Sequence, residues 1–340
     1  MVRLKDIAAR AGVSLMTVSK AMRDEPDIAV ATRARIKALA KEMGYVPNTF
    51  AQALRTRDSK LFGLVIPSIT NPIYCRIVFA LEERAHALGY EIMLAHSLGT
   101  MEREEVCIRR LLARQIRGMF IYPVYRLPRE SAVFKELETR RVATIILGHH
   151  APFCSQFANV ESDDLLGSYQ LTKHLLELGH RRIAFLAGPI VSPAAQERFE
   201  GYRRALREAQ MDVDEKLVFQ AGSTIEDGAK AAAQMMNEAT AATAVQADND
   251  LVAIGCADML LNQGLKIPQD ISVVGFGNVL VAEYFRVPLT TVRQPKFRLG
   301  NAAMDSMLKL LAGERVATKR IAAELIIRAS TAAPPDKAAI

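Results

Sequence analysis

Leu4-Lys5-Asp6-Ile7-Ala8-Ala9-Arg10-Ala11-Gly12-Val13-Ser14-Leu15-Met16-Thr17-Val18-Ser19-Lys20-Ala21-Met22 decides how the chain begins to fold. Leu4, Ile7, Ala8 and Ala11 recur at i, i+3, i+4 and i+7, which buries one face of a first helix. Gly12 supplies a backbone turn that a side chain would strain. Ser14 can accept the free N–H groups that open a second helix. Val18, Ala21 and Met22 then face inward, leaving Leu15, Met16, Ser19, Lys20 and Arg23 outside. Two short helices meeting at a glycine turn read as a helix-turn-helix, whose second helix would lie in a DNA major groove. A third helix over 31–43 would bury Ile36, Leu39, Ala40 and Met43. Its other face shows Arg33, Arg35, Lys37 and Lys41, placed to meet phosphates. A three-helix module with no DNA role also has this outline, but lacks a reason for the basic face.

Charge supports the first reading. Residues 1–60 hold 12 Lys/Arg against 6 Asp/Glu, whereas the remaining residues are nearly balanced, within a net charge of +7 over 340 residues. A basic head on a neutral body suggests a head that meets a polyanion. No apolar run reaches the roughly 18–20 residues of a membrane span. The opening residues have no signal-peptide pattern, so a cytoplasmic chain is expected. Cys75, Cys107, Cys154 and Cys256 are far apart, as free thiols of a reduced compartment are. His149, His150 and Cys154 are too few for a convincing metal site, and no metal or other cofactor is expected.

From Leu61 onward, apolar runs alternate with helical stretches. Leu61–Pro67, Glu91–Ala95, Met119–Tyr122, Val142–Leu147, Ile183–Ala187, Ala244–Ala247 and Ile271–Gly275 read as buried parallel strands. Two α/β units in series, with a cleft between them, fit about 270 residues.

The chain resembles the lactose-repressor (LacI) family of bacterial transcription regulators. The head carries this in Lys5-Asp6-Ile7-Ala8, Ala11-Gly12-Val13-Ser14, Thr17-Val18-Ser19, Thr32-Arg33, Gly44-Tyr45-Val46-Pro47-Asn48 and Ala53-Leu54-Arg55. The body carries it in Gly63–Pro67, Thr70-Asn71-Pro72, Leu178–Ala184, Glu197-Arg198, Glu200-Gly201-Tyr202, Asn249-Asp250, Ile267–Phe276 and Leu289–Pro295. The resemblance implies a small all-α helix-turn-helix head (1–47), a hinge (48–60) and a periplasmic-binding-protein-like α/β body (61–340) of two Rossmann-like subdomains. Their stretches would be about 61–160 with 292–322, and 161–290 with 323–332, joined by crossovers near 160, 290 and 322.

By the same resemblance, operator DNA would be met by Ser14, Leu15, Met16, Thr17, Ser19, Lys20, Arg23, Tyr45, Asn48, Leu54 and Arg55. Leu54 would wedge into the minor groove, although a plain contact with the body also fits it. A small sugar or sugar-derived effector would sit at the carboxyl ends of the strands. Its contacts would be Ile73, Tyr74, His149, Arg198, Asn249, Asp250 and Asn278. Taken alone, Arg198 also fits a helix surface, Asp250 a helix cap, and Tyr74 ordinary core. A homodimer on two half-sites is implied, with pairing into tetramers open, as is repression or activation.

Several positions depart from the family pattern. Leu15 and Met16 are apolar where polar residues are common, so they can touch thymine methyls but cannot hydrogen-bond a base edge. Lys20 can donate to guanine O6 and N7. Ala29 replaces a capping serine. Gly277-Asn278 follows Val274-Gly275-Phe276 where an Asp is usual, and Gly148 also replaces an Asp. Fewer acids imply tolerance of an anionic effector, a sugar acid or sugar phosphate. No dinucleotide fingerprint, phosphate loop or nucleophile elbow occurs, so an enzyme is not expected. A cytoplasmic sugar-binding protein would suit the body but not the basic head.

Overall fold

The computed structural model describes residues 2–46 and 59–336. The chain divides into two compact units, residues 1–59 and 60–340. Pro47, Asn48, Leu54, Arg55 and Arg57, and with them the expected minor-groove wedge, lie outside the described residues.

In the first unit, helices α1 (Leu4–Ala11), α2 (Leu15–Met22) and α3 (Val30–Glu42) enclose Ile7, Ala8, Val18, Ala21, Ile36 and Ala40. Gly12 turns the chain at φ 65°, a conformation glycine adopts without a Cβ penalty. The Ser14 hydroxyl accepts from the Thr17 amide at 3.1 Å and so caps α2. Helix α3 begins after Ala29 with no side-chain cap, as the missing serine implies.

The second unit contains two six-stranded sheets. The first has the order β11-β5-β4-β3-β1-β2, with β1 Leu61–Ile66, β2 Glu91–His96, β3 Gly118–Ile121, β4 Thr144–Leu147, β5 Ala158–Ser162 and β11 Lys319–Ile321. The second has the order β12-β10-β9-β8-β6-β7, with β6 Ile183–Ala187, β7 Val218–Gln220, β8 Ala244–Ala247, β9 Ser272–Gly277, β10 Thr290–Arg293 and β12 Glu324–Ile326. All pairings are parallel except β10 with β12. Parallel strands buried on both faces need apolar side chains throughout, which accounts for the unbroken runs in β1, β3, β4 and β6.

The chain passes between sheets three times: after β5, after β10 and between β11 and β12. The second passage follows Arg293, three residues beyond the expected 290, because Thr290–Arg293 pair with Val274–Gly277. Beyond it, helix Lys296–Leu311 returns to the first sheet and packs on helix Pro72–Ala87. Gly300 makes this possible: a Cβ there would meet Ala80 Cβ at 2.6 Å and Ile77 O at 2.9 Å.

Candidate functional site

The carboxyl ends of β1, β3, β6, β8 and β9 face a common cavity of about 350 Å³ between the two sheets. That is the lower end of the size range for small-molecule sites. Its walls include Tyr74, Tyr122, Arg198, Asp248, Phe276 and Gln294.

Arg198 is its electrostatic centre. The residue lies on helix Pro193–Glu208, where Ser192 caps the first turn through the Ala195 amide. The guanidinium donates to the Asp248 carbonyl at 2.8 Å and to Asp248 Oδ2 at 3.3 Å, and to Asp164 Oδ2 at 3.4 Å. It also lies 4.2 Å over the Phe276 ring, a cation–π contact. Burial opposes its charge, but Asp164 and Asp248 outweigh that and raise its pKa. Burial pushes the Asp248 carboxyl up, with Arg198 pulling the other way. Arg198 Nε and Asp248 Oδ1 are buried and have no hydrogen-bond partner among the described residues. Each is an unmet hydrogen-bonding demand behind the wall of the cavity.

The aromatic wall complements this pair. Tyr74 meets Tyr122 edge-on at 4.6 Å, and Tyr122 meets Tyr125 at 6.3 Å. Desolvation raises the phenol pKa values of all three, so they stay neutral donors.

The expected effector residues are only partly gathered here. Ile73, Tyr74, Arg198, Asn249 and Asp250 line the cavity. Asn249 is largely occupied as the cap of helix Asp250–Asn262, accepting from the Val252 amide at 3.0 Å. The cap is therefore Asn249, where the sequence offered Asp250. Asp250 instead braces β9 and β10: its oxygens accept from Thr291 Oγ1 at 2.5 Å and the Val279 amide at 2.8 Å. Desolvation raises its pKa, against those hydrogen bonds.

Two of the expected residues lie off the main cavity. Asn278 does not line the cavity, because its left-handed backbone (φ 51°) turns it away and its Oδ1 accepts from Arg328 at 2.8 Å. It therefore does not replace the missing acid. A Cβ at Gly277 would lie 3.0 Å from Ile73 Cδ1. His149 is also outside the main cavity, in a smaller space beside it. Its Nε2 lies 3.0 Å from Glu197 Oε2 and its Nδ1 3.8 Å from Asp164 Oδ2. Burial would lower its pKa, but Glu197 and Asp164 prevail and raise it. Glu197 also accepts from Arg320 at 2.6 Å, and Arg320 from the other side donates to Glu161 at 2.8 Å. This cluster ties helix Pro193–Glu208 of one subdomain to β4, β5 and β11 of the other. Lys296 makes a second tie, donating across to the carbonyls of Gly277 and, at 3.0 Å, Asn278. Burial pushes its ammonium down to about 8.

His149, His150 and Cys154 are not brought together as ligands, since His150 Nε2 meets the Phe157 carbonyl at 2.6 Å. Among the described residues no group of three His, Cys, Asp or Glu is placed to hold a metal. No helix among them is long and apolar enough to cross a membrane.

Asp164, Asp248, Tyr122, Tyr125, Phe276 and Gln294 were not singled out from sequence. Tyr122 and Asp248 directly follow β3 and β8, and Phe276 lies near the end of β9. The rule that ligands sit at the carboxyl ends of parallel strands gives the only sequence signal for them.

In the head, Leu15 and Met16 are 53% and 63% exposed at the start of α2. Ser14 and Thr17 bond to each other through their hydroxyls at 2.9 Å. Arg23 Nε donates to the Ser19 carbonyl at 3.1 Å. Tyr45 packs against the head's core. Lys20 forms an ion pair with Asp27, a hydrogen bond that raises the lysine pKa and lowers the aspartate's. On α3, Arg33 and Arg35 are drawn to backbone carbonyls and Lys37 to Asp24.

Comparison with known proteins places both units. Residues 3–48 match the family of bacterial regulatory proteins called lacI, and residues 172–331 match a periplasmic binding protein-like domain. The transcriptional repressor CytR of Escherichia coli K12 is 31% identical over 334 residues, 98% of this chain and 97% of its own length. The lac repressor dimer bound to operator and the anti-inducer ONPF has a TM-score of 0.87 at 29% identity, covering 98% of this chain and 99% of that one. The regulator CelR in complex with cellobiose has a TM-score of 0.75 at 29% identity, covering 97% and 100%.

Proposed function

This chain belongs to the lacI family of bacterial regulatory proteins and is a helix-turn-helix transcriptional regulator rather than an enzyme, and from that premise we propose that a neutral, hydroxyl-bearing sugar in the cleft controls its affinity for an operator. The observation that carries the ligand class is the charge balance around Arg198. One buried guanidinium already faces Asp164 and Asp248, and Asp250 lies in the same wall. A carboxylate or phosphate brought there would meet Asp164 and Asp248 with the Arg198 guanidinium already committed to both, in a low-dielectric space. Sugar hydroxyls can donate to and accept from the polar side chains on the cavity wall, Arg198 and Asp248 among them. Its apolar face suits Tyr74, Tyr122 and Phe276. This argues against the anionic effector that the absent acids at 148 and 277 suggested.

The DNA end of the proposal rests on α2. Leu15, Met16, Lys20 and Arg23 would face bases in the major groove, with Ser14, Thr17 and Ser19 toward the backbone. Asn48, Leu54 and Arg55 complete the proposed contact set from the hinge, and Tyr45 supports it from the head's core. One head reads few bases, so two heads of a homodimer on paired half-sites are proposed. A ligand that prefers one arrangement of the subdomains shifts the population competent for DNA by its differential affinity.

The test is to select bound duplexes from random-sequence DNA and titrate the recovered operator by fluorescence anisotropy. Neutral mono- and disaccharides, sugar acids and sugar phosphates are then added singly. At least one neutral sugar is expected to change operator affinity by about tenfold or more, within the usual range of allosteric coupling. A response confined to sugar acids or phosphates would overturn the ligand class.

A further inference from the structure

Between α2 and α3 runs Asp24-Glu25-Pro26-Asp27, holding three of the five carboxylates of residues 2–46. Each has a cationic partner. Asp24 meets Lys37 at 2.6 Å and Arg33 at 3.6 Å, Glu25 meets Arg23 at 2.7 Å, and Asp27 meets Lys20. Asp27 reaches back seven residues to Lys20, whereas Glu25 holds its near neighbour Arg23, which is also tied to the Ser19 carbonyl. Lys20 belongs to α2, the helix that faces DNA in the reading above, and the inference below rests on that reading. Lys20 lies in the last turn of α2, Arg23 caps that helix, and Arg33 and Lys37 are on α3.

We propose that Asp27 is a specificity-determining residue: it pins Lys20 so that its ammonium serves a base edge and is withheld from the phosphate backbone. A lysine stem has four rotatable bonds and a point-like charge, so a free lysine at a DNA surface finds a phosphate on almost any sequence. Its ammonium has three donors. With one committed to Asp27, two remain, the number that guanine O6 and N7 can accept. Reading a guanine therefore leaves the Asp27 pair intact. Reaching for a phosphate away from the place where Asp27 holds the ammonium requires breaking it. Asp27 thereby lowers the affinity for random sequence without a matching loss on the operator.

Simple charge removal would act differently, strengthening binding to every duplex alike. Asp24 supplies the control, since it lies in the same loop and carries the same charge, but holds Lys37 and Arg33 rather than Lys20.

The experiment uses the full chain and two duplexes, the operator recovered by selection and a scrambled version of it. Affinities are measured from 50 to 300 mM KCl for the wild type, Asp27→Asn, Asp24→Asn, Lys20→Ala and the Lys20→Ala/Asp27→Asn double variant. Asp27→Asn is expected to bind the scrambled duplex about two- to fivefold tighter, the span of an exposed ion pair. Its salt slope should steepen by about 0.9, one further phosphate contact. Operator affinity should not rise in step, so the ratio of the two affinities falls. Asp24→Asn should leave that ratio unchanged, and Asp27→Asn should no longer alter it once Lys20 is alanine. Equal gains on both duplexes in Asp27→Asn, or no change in the ratio, would overturn the inference. A wild type that does not distinguish the two duplexes would instead defeat the DNA reading itself. Circular dichroism of each variant separates any loss of head structure from these outcomes.

Discussion

Lys20 in the head and Arg198 in the cleft are each held by carboxylates of their own chain, but one pair is exposed and the other buried. The Lys20–Asp27 pair stands largely in water, where an ion pair biases a side chain by a few-fold and no more. The Arg198–Asp248–Asp164 group is enclosed, where a charge stripped of its partner is costly. The head's pair thus biases where its cation goes, and the cleft's group fixes it. A fixed cleft selects its ligand by the polar groups on its wall, Arg198 and Asp248 among them.

The largest expected effect breaks the buried half of that comparison. Arg198→Met should leave Asp164 and Asp248 buried without their cation and lower the stability of the body by about 3–5 kcal/mol. Urea unfolding followed by tyrosine fluorescence would measure it. A loss as small as that of an exposed pair would mean the cleft charges are not enclosed as described.

Next in size is the cluster tying the subdomains together. His149→Ala removes a charged hydrogen bond to Glu197, a contact of a kind worth about 1.5–3 kcal/mol. The pH dependence follows from the two shifts. His149 is raised above 6.5, so its contribution is complete below about 6.5 and is lost as pH rises through the raised value. Glu197 is lowered from 4.5, so its contribution is complete above about 4.5 and is lost as pH falls through the lowered value. The wild-type body should therefore be steadied most between those limits, and His149→Ala should flatten the alkaline limb of its thermal stability profile. Superimposable profiles would show that the cluster does not tie the subdomains together.

The smallest effect sharpens the exposed half. Ser14→Ala removes the cap that opens α2 and should cost about 1 kcal/mol of head stability. Thermal melting followed by far-ultraviolet circular dichroism would register it, with little change in the body's transition. An unaltered head transition would show that the Ser14–Thr17 bond carries no weight there.

Much of the head could be read in advance because its signals are local. The four-residue apolar spacing, Gly12 and Ser14 each act within one or two turns of helix. The major strands were also legible, since β1, β3, β4 and β6 are nearly unbroken apolar runs. Strand β5 is not, because it buries polar side chains that find partners only in the folded sheet. Asn159 donates to Gly148 O at 2.9 Å and to Glu161 at 2.7 Å, and Glu161 accepts from Arg320, far along the chain. The cleft was legible to the extent that Arg198 and its neighbours resembled a known pattern. Asp164 and Asp248 were not, since isolated acids carry no periodicity and gain meaning only when the sheets bring them to Arg198. The place of Asn278 could not be read because it depends on conformation: its left-handed backbone sends the amide to Arg328.

The most direct measurement compares one sugar with its own phosphate. Once a neutral sugar that shifts operator affinity has been found, it and its phosphate ester are titrated calorimetrically into the full chain. Enclosed acids around a single committed arginine predict tight binding of the neutral sugar and at least tenfold weaker binding of the ester. Tighter binding of the ester would contradict the assignment of the cleft to a neutral ligand.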